Sequence, residues 1–283
     1  MNGSTLKNLN EIISESKDLY SLENLKTVFG FIDLTTLKPT DTEQEVTGIC
    51  KKVNSFSDTF PDIPNVAAVC AYPALISAIS KTLAANGVNI VSAAAGFPDS
   101  QTFISIKVAE CEMSVAKGAN EVDVVISVGK LLAKDHQAVF NEIFLMKKAV
   151  GDNILKVILE AGALGSPENI SIASNIAMEA GADFIKSSTG RYDPAATPES
   201  VYIMAQKIHE YYRKTGRKTG IKPSGGIVSG KQAVEYMAIV KHVLGDEWLT
   251  PKLFRIGASK LANNILTEIN TLNTGKKEKI VYF

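Results

Sequence analysis

From residue 28 onward the chain repeats one motif: a short apolar run followed by an amphipathic segment. This alternation restricts the fold more than any other feature of the sequence. The runs are 29–35, 65–72, 89–97, 121–127, 155–161, 183–188, 218–223 and 254–258. Many read as largely apolar runs, as parallel strands sheathed by helices do. Between them, Val108, Cys111 and Val115 share one face of 104–118, and Val201, Met204, Ile208 and Tyr211 share one face of 198–214. Spacings of three and four are those of a helix. Gly118, Gly151, Gly181 and Gly216 follow helical patterns as C-terminal caps. Ser166-Pro167-Glu168 and Thr197-Pro198-Glu199-Ser200 read as helix starts, with proline at the first helical position. Eight such units in about 250 residues predict an α/β fold, a closed (β/α)8 TIM barrel. An open doubly wound sheet is the competing arrangement. No Gly-x-Gly-x-x-Gly follows the first strand, which weakens the dinucleotide-binding form of that alternative.

No linker interrupts the pattern, so residues 1–283 are expected to form one domain: a barrel over about 28–274, an N-terminal helical extension over 1–27 and a tail over 275–283. The extension is expected beneath the barrel. The tail reads either as a frayed end or as a flap that brings Tyr282 over a site. Thirty basic and thirty acidic residues give a formal net charge of zero. Nothing electrostatic then favours nucleic acid or an anionic membrane, and an anionic ligand needs a local site. No apolar stretch approaches the roughly 20 residues that span a bilayer. The start lacks the apolar core of a secretory signal. Cys50, Cys70 and Cys111, like the three histidines, have no metal-ligand spacing. A cytoplasmic protein with reduced thiols is the expectation. Oligomeric state is left open, a homodimer being one arrangement.

Chemistry points to lysine. Lys186 lies in the apolar run 183–188, where burial disfavours its ammonium form, and Lys222 occupies a corresponding place one unit later. A free lysine is about one part in 10³ amine at neutral pH. A second cation on a strand about 4.8 Å away would hold its neighbour neutral and nucleophilic. Asp123, inside the run 121–127, is a candidate proton carrier or else an ion-pair partner. Asp33 is expected to orient substrate or lysine. Lys156 and Glu160, four apart, are expected to face one side, each in a structural role or else as an extension of the charge network. Gly225, Gly226, Gly257 and Ser259 follow the seventh and eighth runs, where barrels hold phosphate on backbone N–H groups; Gly190 and Arg191 would add donors and a cation. Cys70 reads as a small buried residue, or as a thiol open to reactive aldehydes if it faces the pocket.

These segments together resemble the deoxyribose-phosphate aldolase family across roughly residues 29–265. The resemblance rests on Phe31–Leu37, Val69–Pro73, Gly118–Val125, Leu155–Glu160, Gly181–Gly190, Gly220–Gly226 and Phe254–Ser259, in order and at strand–helix spacing. It implies a metal-free, cofactor-free Schiff-base aldolase that reversibly cleaves 2-deoxy-D-ribose 5-phosphate to D-glyceraldehyde 3-phosphate and acetaldehyde, with a role in nucleoside breakdown. By position it makes Lys186 the Schiff-base lysine, Lys222 its perturbing neighbour and Asp123 the proton-transfer carboxylate. Gly190, Gly225, Gly226 and Ser259 fall on phosphate-loop positions. Lys260 stands where the family often has serine, and Arg191 where it often has lysine. A barrel aldolase for another phosphosugar, or a phosphosugar-binding regulator without turnover, are the alternatives.

Overall fold

The structure, a computed structural model, describes residues 3–283. Residues 1 and 2 of the expected extension lie outside the described residues. The eight strands are β1 Ile32–Thr35, β2 Ala68–Ala71, β3 Asn89–Ala94, β4 Glu121–Val125, β5 Ile154–Ile158, β6 Phe184–Lys186, β7 Gly220–Lys222 and β8 Ile256–Ala258. Neighbours pair in parallel in chain order, β1 pairs with β8, and bridges Ile221–Phe254 and Ser224–Gly257 join β7 to β8. The sheet is therefore a closed barrel, and helices alternate with the strands as expected.

Every strand is shorter than the apolar run that announced it. Burial extends past the ladder at both ends. Phe29, for example, is the last residue of the helix Leu22–Phe29, and it is fully buried against the stacked ring of Phe56. Apolarity reports burial, whereas strand ends depend on where backbone pairing stops.

Strand alternation sorts the side chains. Val122, Val124, Leu155, Val157, Ile185 and Ile221 belong to the main core, which forms between sheet and helices. Burying such a side chain contributes about 1.5–3 kcal/mol, so Ile185→Ala would cost roughly 2–5 kcal/mol once the cavity is included. The intervening residues point into the barrel. On β2 and β3 these are Ala68, Cys70, Val91 and Ala93, a small apolar cluster of their own backed by Leu37 and Phe97.

Helix ends follow local chemistry. Thr197 caps Pro198–Thr215 through Ser200, with a reciprocal bond, and Gly216 ends the helix at φ 73°. In Ile104–Ala116 the fully buried face is Lys107, Cys111 and Ser114, with Val108 and Val115 half-buried beside it. The expected apolar face is thus rotated slightly, because Lys107 is drawn inward to the Glu142 carboxylate, 2.9 Å away.

The N-terminal extension is helical but divides into Gly3–Glu15 and Leu22–Phe29, with Ser21 capping the second helix. Both pack on the outer helical layer rather than beneath the barrel. Their partners there are Pro198–Thr215, Gly230–Leu244 and Leu261–Thr274. The reason lies in the apolar stripe Leu25, Val28 and Phe29, which needs a helical groove to bury it.

The tail is docked rather than frayed: Lys279, Val281 and Phe283 border a second cavity with Thr35, Thr36, Lys38, Ser259 and Lys260, while the Tyr282 hydroxyl bonds to the Lys52 carbonyl. Asn263, on the last helix, accepts from the backbone N–H groups of Tyr282 and Phe283 and donates to the Phe283 carbonyl. The Tyr282 and Phe283 rings pack on Phe56, and Tyr282 also meets Phe60.

Candidate active site

The barrel interior holds a connected set of charges. Register places Lys186 opposite Lys222 and Asp123 opposite Lys156, so parity alone turns all four inward. Lys186 and Lys222 each donate to the same oxygen, Asp123 Oδ2, at 2.8 Å. Lys222 also makes an ionic contact with Asp33. Lys156 pairs with Glu121 and lies 3.2 Å from Asp123 Oδ1. Arg255 spans Asp33 Oδ1 at 2.6 Å and Glu121 Oε1 at 2.7 Å. Lys186 is 2% exposed, and Asp33, Glu121, Asp123, Lys156 and Lys222 are fully buried.

The two facing lysines titrate in opposite directions. Burial lowers the pKa of Lys186, and the Lys222 charge lowers it further against the pull of Asp123. Burial works the same way on Lys222, but Asp123 and Asp33 outweigh it and keep that side chain an ammonium. Burial alone would raise the Asp123 carboxyl, yet Lys156, Lys186 and Lys222 hold it well below the usual carboxylate range. Asp33 is held low in the same way by Lys222, Arg255 and Lys156. One amine, Lys186, is thus pushed toward its neutral form beside Lys222, Asp123 and Asp33, which are all held in their charged forms.

Above this floor opens a cleft of about 370 Å³. Lys186 lines its base, and Gly190, Arg191, Ser224, Gly225, Gly226, Gly257 and Ser259 form its wall. Lys38 and Lys260 also line it, and no carboxylate does. Gly190 and Gly225 touch back to back: a Cβ on Gly225, at φ +87°, would lie 2.8 Å from Gly190 Cα. Only glycine lets these two loops meet this closely, with the Gly190 N–H donating to Ser188 Oγ and the Gly225 N–H to the Gly257 carbonyl. Arg191 is steadied by a bond to the Leu37 carbonyl.

The structure thus brings together Lys186, Lys222, Asp123, Gly190, Arg191, Gly225, Gly226, Gly257 and Ser259. Asp33 sits beneath the cleft, where it meets lysine and arginine and does not line the ligand space. Glu160 does not join the lysine network. β5 ends at Ile158, so strand parity no longer orients Glu160, which has φ 55° and accepts from Thr189 N and Oγ1. Cys70 faces inward within the small apolar cluster, and burial, with the Asp123 charge next, pushes its thiol up to about 11. Tyr282 is not at the site: its hydroxyl donates to the Lys52 carbonyl at 2.9 Å and lies 3.3 Å from Ser55 Oγ.

Sequence reading missed Glu121 and Arg255. Each lies two residues before a residue already singled out on its strand, Asp123 and Gly257, so parity was the available signal. Thr35 and Ser224, which line the cleft, follow Asp33 and Lys222 by the same spacing. Among the described residues no group of three or more His, Cys, Asp or Glu side chains is placed to hold a metal ion.

Known proteins resemble this chain in sequence and in fold. The description "DeoC/LacD family aldolase" matches residues 27–259. The deoxyribose-phosphate aldolase of Homo sapiens is 42% identical over 256 residues, covering 87% of this chain and 80% of that protein. The Mus musculus enzyme of the same name is 41% identical over 256 residues, with the same shares covered. The deoxyribose phosphate aldolase of Aeropyrum pernix, described as a tetramer, superposes with a TM-score of 0.67 at 26% identity, covering 94% of this chain and 99% of that one. With the match spanning the barrel from just before its first strand to just past its last, the chain belongs to the DeoC/LacD aldolase family.

Proposed function

We propose that this protein is a Schiff-base aldolase that reversibly cleaves 2-deoxy-D-ribose 5-phosphate to D-glyceraldehyde 3-phosphate and acetaldehyde. The observation that carries the reading is Lys186 at the base of a carboxylate-free cleft, with a lowered pKa and Lys222 bonded to the same Asp123 oxygen. Neutral Lys186 attacks C1 of the open-chain sugar, and loss of water gives an iminium. A proton leaves the C3 hydroxyl through water to the Asp123–Lys222 pair. The C2–C3 bond then breaks, its electrons pass to the iminium, and glyceraldehyde 3-phosphate departs. Protonation of the enamine and hydrolysis release acetaldehyde and restore the amine. The iminium supplies the positive charge that stabilises the developing carbanion. The Gly190, Gly225, Gly226 and Ser259 segments, with Arg191 and Lys260, hold the phosphate, so binding remote from the reacting bond positions it.

Acetaldehyde with borohydride is expected to add a two-carbon group to the peptide carrying Lys186. A different modified peptide, or none, refutes the assignment. Activity is expected to survive a chelator. Three free cysteines suit a reducing compartment, so the cytoplasm and nucleoside breakdown are the setting we assign. We further read the working form as a homo-oligomer, by analogy with the A. pernix tetramer.

A further inference from the structure

We infer that Glu121 and Arg255 are positioning residues that set, from below the cleft, how readily Lys186 gives up its proton. The inference rests on the aldolase reading and deepens it.

The ion pairs form one connected network of four cations, Lys156, Lys186, Lys222 and Arg255, and three carboxylates, Asp33, Glu121 and Asp123. One positive charge is in surplus. Partner sharing shows where that surplus falls. Lys156 contacts Asp33, Glu121 and Asp123; Lys222 contacts Asp33 and Asp123; Arg255 contacts Asp33 and Glu121. Lys186 contacts Asp123 alone, and of the four only Lys186 lines the cleft. It is the cation least compensated and best placed to shed a proton.

The other groups around Lys186 are few. β2 presents the Cys70 thiol, and β3 presents apolar Val91 and Ala93 together with Asn89, which donates to Glu121. Glu160, just past β5, accepts from Thr189 and makes no ion pair with the network, although the Lys186 charge acts on its buried carboxyl. Arg191, Lys38 and Lys260 stand at the cleft wall. None of their charges changes when Glu121 or Arg255 is replaced. Neither Glu121 nor Arg255 reaches the cleft, so their effect on chemistry runs through charge.

The sign follows. Removing the Glu121 charge increases the surplus, so Lys186 loses its proton at lower pH. Removing the Arg255 charge cancels the surplus, so Lys186 keeps its proton to higher pH. Removing both restores the balance.

The test is the rate of Lys186 modification by acetaldehyde and cyanoborohydride against pH, on the full chain, read by intact mass and peptide mapping. Acetaldehyde carries no phosphate, so substrate titration does not intrude. Glu121→Gln should move the midpoint down, and Arg255→Gln up, each by about one pH unit, as for charges roughly 10 Å apart at an effective dielectric near 20. The double variant should return to the wild-type midpoint. If Arg255→Gln fails to fold by circular dichroism, Glu121→Gln decides, with the charge-preserving Arg255→Lys expected to keep the wild-type midpoint. Slower modification with unmoved midpoints, or shifts of the same sign, overturns the inference and leaves the aldolase reading standing. A wild-type chain unmodified at Lys186 overturns the aldolase reading itself.

Discussion

The floor of the cleft and its wall carry the same kinds of charged group in opposite settings. On the floor, lysines and carboxylates are sealed from water and compensate one another. On the wall, Lys38, Arg191 and Lys260 are exposed and face no carboxylate across the cleft. Buried charges interact strongly and resist screening, so the floor can tune a protonation state. Exposed cations are weakly coupled and screened by salt, so the wall can attract an anion but cannot tune an amine. On the proposed reading, this division sets proton control beneath the reacting carbon and anion affinity above it.

Substitutions on the floor should therefore change kcat, and those on the wall KM. The largest effect belongs to Lys186→Ala, which removes the nucleophile and should lower kcat by at least about 10⁴-fold in a deoxyribose phosphate cleavage assay. Lys222→Leu comes next, with a loss of about 10²–10³-fold at neutral pH, because Lys186 then keeps its proton. The sign is testable. Activity should rise with pH through the lowered pKa of Lys186 in the wild type, and that rise should lie at higher pH in the variant. An unmoved profile would mean that Lys222 acts only as a proton carrier.

On the wall, Arg191→Ala should raise KM for the phosphosugar by about threefold to tenfold with kcat nearly unchanged, the scale of one exposed ionic contact. Added salt should raise the wild-type KM while leaving the midpoint of acetaldehyde trapping in place. A salt-sensitive midpoint would erase the contrast between floor and wall. The smallest effect concerns a third region. Phe283→Ala removes a half-buried ring stacked on Phe56 and should cost about 1 kcal/mol of stability by denaturant melts, with the trapping midpoint unchanged.

Some of this was legible residue by residue. The cost of a lysine in an apolar run flagged Lys186 and Lys222, and the spacing of glycines after the last runs flagged the cleft wall. Glu160 was misread because parity was carried past the end of β5. Arg255 was overlooked because nothing near it in sequence is acidic. Its carboxylate partners, Asp33 and Glu121, lie 222 and 134 positions away. The tail was ambiguous because docking through Asn263 depends on a helix face that sequence does not orient toward the terminus.

Taken alone, the sequence determined the alternation of strands and helices, the shared placing of the paired lysines on successive strands and the position of the glycines in the cleft wall. These follow from periods of two and three to four and from the conformational demands of single residues, all local rules. Only the tertiary structure decided that Asp33 lies under the cleft, that Arg255 ties β8 to β1 and β4, that one lysine among four is left with a single carboxylate, and that Tyr282 rests on the outer surface. Those outcomes depend on closure of the barrel, which brings charges distant in the chain within ionic contact and leaves their balance to geometry.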